Sequence, residues 1–206
     1  MDRPGFEGSA ASDGERPERL DALARLETLI GAGLPLHRFF AIALPLVEAL
    51  ERLHGRRLMH GGLRPRHILV GDADPPPADT AVDARRPRVH IVGADAATGL
   101  PHERREAVVP APFEDGMLAY LAPEQTGRMN RPIDHRADLY ALGITFHEML
   151  TGAPPFVTDD ALEMVFCHLA RTPTPLHERR ADVPRALSDI VGRLLAKLPE
   201  DRYQSA

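Results

Sequence analysis

Three residue types are almost absent from this chain of 206 residues, which has one cysteine, one lysine and no tryptophan. The single cysteine, Cys167, excludes an intramolecular disulfide, so we expect a reducing compartment and take it to be the cytoplasm. The single lysine, Lys197, excludes a phosphate-binding loop of the Gly-Lys-Ser/Thr type and a Schiff-base lysine anywhere before it.

Long apolar runs are missing as well. The most apolar stretch, Phe39 to Leu50, is interrupted by Pro45 and Glu48 and is shorter than the ~20 residues that a membrane helix needs. Residues 1–17 are rich in Gly, Pro and charge and predict a disordered tail rather than a signal peptide. The net charge is −5, with arginines mixed among acidic residues, so we expect no nucleic-acid partner and no membrane insertion.

The remaining pattern predicts a mainly α-helical fold with short β-strands. Helices are predicted over 18–30, 36–54, 136–151, about 159–171 and 185–197, and short strands over 57–60, 68–70 and 89–92. Residues 71–88 are rich in Pro and Asp and predict an exposed insertion. In the helix over 36–54, the predicted apolar-to-polar stripe consists of Phe40, Ala43, Leu44, Val47, Leu50 and His54. Pro45 is expected to kink this helix or end its first turn.

Six segments resemble the motifs of protein kinases, and they occur in the family's order. Leu50-Glu-Arg-Leu-His54, Leu58-Met-His60, Leu63-Arg-Pro65 and Ile68-Leu-Val70 together resemble the helix and catalytic loop LxxLH…HRDLKPxNIL. Val89–Val92 resembles the strand before DFG; Gly116–Glu124 resembles GTxxYxAPE; Asp138–Gly143 resembles D[VIL][WY]SLG; Leu150–Phe156 resembles LTGxxPF; and Asp201–Ser205 resembles DRxxS.

This resemblance implies a protein-kinase-like C-lobe over residues 18–206, with the N-lobe absent or vestigial. Residues 93–124 would be the equivalent of the activation segment. The segment from Glu124 to Arg131 further resembles the kinase-like domain that opens large bacterial sensor proteins, in which an ATPase-type domain and a histidine kinase follow.

The positions that would carry phosphoryl transfer are changed. The family's catalytic Asp falls on Gly62, which has no side chain to act as a base. The family's Lys falls on Arg64, and its metal-binding Asn falls on His67, whose imidazole is a poor ligand for magnesium. The metal-binding Asp of DFG falls on Gly93, and Asp95 is the one candidate substitute.

Positions that the family uses as scaffold are retained, namely His60, Glu124, Asp138, Gly143 and Arg202. The resemblance implies that Glu124 pairs with Arg202 and that Asp138 hydrogen-bonds the backbone of the catalytic loop. The scaffold residues are retained while the residues that would react are missing. This combination predicts a domain that stays folded but does not transfer phosphate.

Three functional hypotheses follow. The first is a pseudokinase-like interaction or regulatory module in bacterial signalling, with a protein partner and no expected cofactor. Its partner surface would include Arg128, Asn130 and Arg131, although a plain solvated loop fits the same residues. The helix face around Phe39, Phe40 and Leu44 is a further candidate, because a missing N-lobe would expose apolar surface there.

The second hypothesis is an active serine/threonine kinase that uses ATP and magnesium, with Asp95 holding the metal and another chain supplying the N-lobe. The third is a fragment of a larger sensor kinase, because the chain stops directly after the DRxxS-like motif.

Overall fold

A computed structural model describes residues 23–71, 87–93, 98–99 and 116–206. Its helices are α1 (Leu26–Ile30), α2 (Leu36–Gly55), α3 (Arg136–Thr151), α4 (Ala161–Ala170), α5 (Leu176–Arg179) and α6 (Arg185–Leu194). Its strands are β1 (Ala24–Arg25), β2 (Leu58–Met59), β3 (Ile68–Gly71), β4 (Arg88–Ile91) and β5 (Thr98–Gly99). The described residues therefore have the mainly α-helical architecture that the sequence predicts.

The strands form two small antiparallel sheets. One has the order β1-β3-β4, with Ala24 opposite Val70 and Ile68 opposite Ile91, and the other pairs β2 with β5. Gly71 lies opposite Arg88, so both ends of the predicted insertion over 71–88 are strand residues, and the segment between them joins two neighbouring strands. Residues 72–86 of the insertion and the predicted tail over 1–17 lie outside the described residues.

The predicted helix over 18–30 is wrong in its middle part. Residues Ala24 and Arg25 form β1, and the helix begins only at Leu26. Their backbone pairs with β3, so a tertiary contact overrides the helical spacing of the leucines. Residues 18–22 lie outside the described part of the chain.

Helix α3 is the centre of the core. It is buried around its whole circumference, and α2 and α6 pack against it. Gly143 makes the contact with α6 close: a Cβ atom at this position would lie 2.8 Å from the Cβ of Leu194. A larger side chain at Gly143 would push the two helices apart.

The buried face of helix α2 matches the predicted stripe only in part. Ala43 and Leu50 of the stripe are buried, whereas Phe40 and Leu44 are 42% and 47% exposed. Phe39, Ile42 and Leu46, which lie outside the stripe, are also buried. The segment is apolar on both sides, so spacing alone did not select the face. The helix continues through Pro45 and does not end there.

Three distant segments meet where α1 ends. Gly33 and Gly152 both have positive φ, and a Cβ on Gly33 would lie 2.6 Å from the carbonyl oxygen of Leu150. Arg180 closes the junction, because its Nη1 donates to the carbonyl oxygens of Leu34 at 2.6 Å and Leu150 at 2.8 Å. Glycine is needed at both positions for the backbones to approach this closely.

Candidate functional site

The loop that resembles the catalytic loop, residues 60–67, connects β2 to β3 and ends in the 3₁₀ turn Pro65–His67. Asp138, in the first turn of α3 and 1% exposed, holds the beginning of this loop. Its carboxylate accepts hydrogen bonds from the backbone N–H of His60 at 2.8 Å and of Gly61 at 2.7 Å. His54 Nε2 lies 2.9 Å from the same carboxylate. One buried charge therefore fixes the start of the loop and the end of α2 together.

His60 is a structural member of this loop. Its Nδ1 accepts a hydrogen bond from the backbone N–H of Gly62 at 3.3 Å, and its Nε2 lies 3.1 Å from the carbonyl oxygen of Val92. These partners assign a neutral ring with its proton on Nε2, donated to Val92. His60 thereby ties the loop to the residue before Gly93.

Gly62, which the motif resemblance aligns with the catalytic base, has open space around it. A Cβ atom built there meets no atom within 4 Å, and its φ lies outside the left-handed region. A Cβ atom would therefore fit at this position without backbone strain.

His67 and Gly93, which the motif resemblance aligns with metal-binding positions, lie next to each other. His67 Nδ1 lies 2.9 Å from the carbonyl oxygen of Gly62, and burial lowers the pKa of this imidazole, so it is neutral at pH 7. Gly93 has a φ of +82°, and its Cβ would lie 3.4 Å from the His67 ring. Asp95, the candidate substitute ligand, lies outside the described residues.

The described parts of the chain contain no cluster of three or more His, Cys, Asp or Glu side chains suited to a metal ion. The cavity beside Gly62, bounded also by Arg64, Met117 and Tyr120, has a volume of only about 10 Å³. That volume is about the limit for a single water molecule. Arg64 lines it and is itself 4% exposed.

Glu124 and Arg202 form a fully buried ion pair with two parallel hydrogen bonds, of 2.7 and 2.8 Å. The guanidinium also donates to the carbonyl oxygens of Ala196, Arg136 and Lys197. Every charged atom of the pair is thus satisfied, which is the condition under which a buried ion pair persists. The pair joins the turn Pro123–Thr126 to the C-terminal residues of the chain.

Gln125 is a connection that sequence reasoning missed. Its Nε2 donates to the carbonyl oxygen of Gly61 at 2.8 Å, and its Oε1 accepts from the backbone N–H of Ala122 at 2.9 Å. The side chain therefore bridges the turn Pro123–Thr126 and the catalytic loop. Only the folded structure shows this role, because a single glutamine within a turn is not part of any recognisable sequence motif.

Two further hydrogen bonds attach the 3₁₀ turn Met117–Tyr120 to the helices. The Tyr120 hydroxyl donates to Glu148, and His168 Nε2 lies 2.8 Å from the carbonyl oxygen of Leu118. The hydroxyl of buried Tyr140 lies 2.9 Å from the other nitrogen of His168. Burial lowers the pKa of His168 to about 4, so the neutral ring donates to Leu118 and accepts from Tyr140.

The candidate partner surface is the loop that contains Arg128, Asn130 and Arg131, and all three residues are exposed. Arg131 Nη2 lies 2.6 Å from Glu200, and both side chains are 44% exposed. An exposed pair of this kind contributes little to stability, so this loop remains available to other contacts.

The chain's relationship to known proteins agrees with this arrangement. The family described as "Protein kinase domain" matches residues 25–206. The chain belongs to the protein kinase domain family. The catalytic-loop region, the retained scaffold residues and the changed positions at Gly62, His67 and Gly93 all fall inside that match.

Similar kinase-family proteins cover very different shares of this chain. The hybrid signal transduction histidine kinase G of Dictyostelium discoideum is 47% identical over 94 residues, which are 46% of this chain and 3% of that protein. Serine/threonine-protein kinase PknF of Mycobacterium tuberculosis is 30% identical over 203 residues, 98% of this chain and 40% of that kinase. Serine/threonine-protein kinase PknB of Mycolicibacterium smegmatis is 32% identical over 169 residues, 82% of this chain and 24% of that kinase.

The chain thus spans 40% or less of the length of these relatives. Their family places it among kinase-family signalling proteins. In the part of the chain that the structure describes, no helix is long and apolar enough to cross a membrane.

Proposed function

We propose that this kinase-family domain is a pseudokinase, which binds a protein partner in signalling and transfers no phosphoryl group. One observation carries the proposal: Asp138 and His60 hold the catalytic loop in place, yet residue 62 has no side chain. General-base catalysis needs a group within hydrogen-bond reach of the substrate hydroxyl, and glycine has none.

The metal-binding positions support the same conclusion. Magnesium prefers oxygen ligands, but His67 offers an imidazole and Gly93 offers no side chain. The pseudokinase therefore requires neither magnesium nor ATP. An active kinase would depend on Asp95 instead, and this dependence separates the two hypotheses.

Phosphate transfer from labelled ATP and magnesium is the direct test, with the chain itself and a mixed set of basic proteins as acceptors. We expect no transfer, and no rise in melting temperature with millimolar nucleotide. Nucleotide at 100 times its dissociation constant would stabilise the fold by about 2.7 kcal/mol, which a melting curve resolves readily. Transfer that is lost in Asp95→Ala but kept in the matched surface variant Asp189→Ala would overturn the proposal.

The loop of Arg128, Asn130 and Arg131 is the proposed partner surface, and its two exposed arginines fit an acidic segment. A glutamate-rich peptide is expected to shift the backbone NMR signals of this loop, and a lysine-rich peptide of equal length is not. The double charge reversal Arg128→Glu with Arg131→Glu should abolish the shifts. Unchanged spectra with the acidic peptide would exclude this surface as its binding site.

A further inference from the structure

A second cavity lies away from the catalytic loop. Its volume is about 480 Å³, it lies between α6 and the segment that joins α4 to α5, and none of its lining residues borders the cavity beside Gly62. Most of its wall is apolar, formed by Pro173, Pro175, Leu176, Val191, Leu195 and Ala196. A volume of this size is typical of sites for small molecules.

The two histidines of the wall already pair with protein atoms. His147 Nδ1 lies 2.9 Å from the carbonyl oxygen of Ala153, and burial lowers the pKa of this ring to about 4, so it is neutral. His177 Nδ1 lies 2.9 Å from the hydroxyl of Ser188, which is buried. These groups shape the wall.

The charge of the wall comes from two residues. Asp189 is exposed on α6, and Lys197, the only lysine of the chain, is half-buried. The Lys197 ammonium donates to the carbonyl oxygen of Cys167 at 3.1 Å and lies 5.0 Å from the centre of the Phe156 ring. Across the described residues, no carboxylate forms an ion pair with it. Within the described segments, this cation therefore has a carbonyl and two aromatic rings, those of Phe156 and Tyr140, as neighbours but no counter-charge.

We propose that the cavity binds a small carboxylic acid with an apolar body, and that the acid's carboxylate pairs with Lys197. A carboxylate supplies the counter-charge and the acceptors that the ammonium lacks, in a hydrogen bond strengthened by both charges. The apolar body covers the proline and leucine wall, which is the main source of binding free energy for such a ligand. Kinase chemistry does not require this site, so it stands independently of the pseudokinase proposal.

Because Lys197 is the only lysine, lysine labelled with ¹³C at Cε gives a single NMR signal that reports this site alone. Burial lowers the pKa of Lys197 to about 8, so its titration falls in an accessible range. Octanoate is expected to shift the signal saturably and to raise the pKa, because a bound carboxylate favours the charged amine. Octanol, which has the same body without the carboxylate, is expected to leave the pKa unchanged.

Variants at cavity residues distinguish octanoate binding in this cavity from unspecific binding elsewhere on the protein. Lys197→Met should weaken octanoate binding at least tenfold, and Lys197→Arg should retain most of it. Gly192 lines the cavity on α6, and a Cβ there meets no atom within 4 Å, so Gly192→Phe adds bulk beside the cavity. Gly55→Phe is the matched control, since Gly55 is also helical and open but lies at the end of α2.

We expect Gly192→Phe to weaken octanoate binding and Gly55→Phe to leave it unchanged. A folded wild-type chain whose Lys197 signal and pKa do not respond to 10 mM octanoate would overturn the proposal. Equal responses in the wild type and in Gly192→Phe would also overturn it, because the ligand would then bind outside the cavity.

Discussion

Two sets of positions border the catalytic loop, and they differ in what they retain. Asp138, which holds the loop through two backbone hydrogen bonds, and the pair of Glu124 and Arg202, which anchors the neighbouring turn Pro123–Thr126, are buried and fully partnered. At the positions that would react, Gly62 and Gly93 have no side chain. The comparison teaches that the conformation of this loop does not depend on the groups that would perform chemistry, because its backbone is held from outside.

The largest effect is expected where a buried charge loses its partner. Glu124→Gln leaves the buried Arg202 guanidinium without a counter-charge and should lower the free energy of unfolding by about 3–5 kcal/mol. Urea denaturation measures this loss. The matched variant Glu200→Gln breaks the exposed pair with Arg131 and should change stability by about 0–1 kcal/mol. Equal losses in the two variants would contradict the structural role of the buried pair.

Asp138→Asn weakens the attachment of the loop directly. One carboxylate oxygen becomes an amide nitrogen that faces a donor, so stability should fall by about 2–3 kcal/mol. Hydrogen exchange at the Gly61 amide should accelerate more than exchange in α6, because the loop opens locally. The control Asp159→Asn, at an exposed position, should leave the Gly61 amide protected. If Gly61 exchanges equally slowly in Asp138→Asn, the loop is held by other contacts.

Gly143→Ala tests the packing of the scaffold. The added methyl group would lie 2.8 Å from the Cβ of Leu194, so the substitution should cost about 1–3 kcal/mol. Gly192→Ala, on the facing helix but in open space, should stabilise the protein by up to about 1 kcal/mol. We expect Gly143→Ala to lower the melting temperature and Gly192→Ala to raise it, which would separate the effect of packing from that of helix propensity. A change in the same direction in both variants would refute the close contact.

The smallest expected effect is the dependence of the free energy of unfolding on pH. Burial lowers the pKa of His147 and of His168 to about 4, below the value near 6.5 of an unfolded histidine. The unfolded chain therefore takes up protons first, and stability should fall as the pH drops from about 6.5 towards 4. The expected loss is about 1 kcal/mol or less for each histidine between pH 7 and 6. The free energy of unfolding should depend less steeply on pH in His168→Gln than in the wild type. An unchanged slope would show that His168 does not contribute to the pH dependence.

The helices that depend on strong local signals could be predicted from the sequence. The helix predicted over 136–151 matches α3, and the one over 36–54 differs from α2 by one residue. Pro35 precedes the start of α2, and Gly152 follows the end of α3. The helix predicted over 185–197 ends earlier, at Leu194, and the strand residues Ala24 and Arg25 were assigned to a helix. Strand pairing with a distant segment leaves no trace in local periodicity.

For the candidate site as well, some residues could be predicted from the sequence and others could not. Motif order placed Asp138, Glu124 and Arg202 on the scaffold, and the structure brings Asp138 to the loop and Glu124 to Arg202. The bridging roles of Gln125 and His168 could not be predicted, because each depends on a carbonyl oxygen far away in the sequence. Backbone acceptors are present at every residue, so only their positions in space single out a partner.

The junction closed by Arg180 has a consequence for synthesis of the chain. The carbonyl oxygen of Leu34 receives its hydrogen bond from a residue that is added 146 positions later. Ribosomes add about 5–20 residues each second, so Leu34 leaves the ribosome several seconds before Arg180 exists. During that interval, the first helices lack the contact that joins them to the end of α3. The nascent chain therefore completes this junction only after residue 180 has been translated.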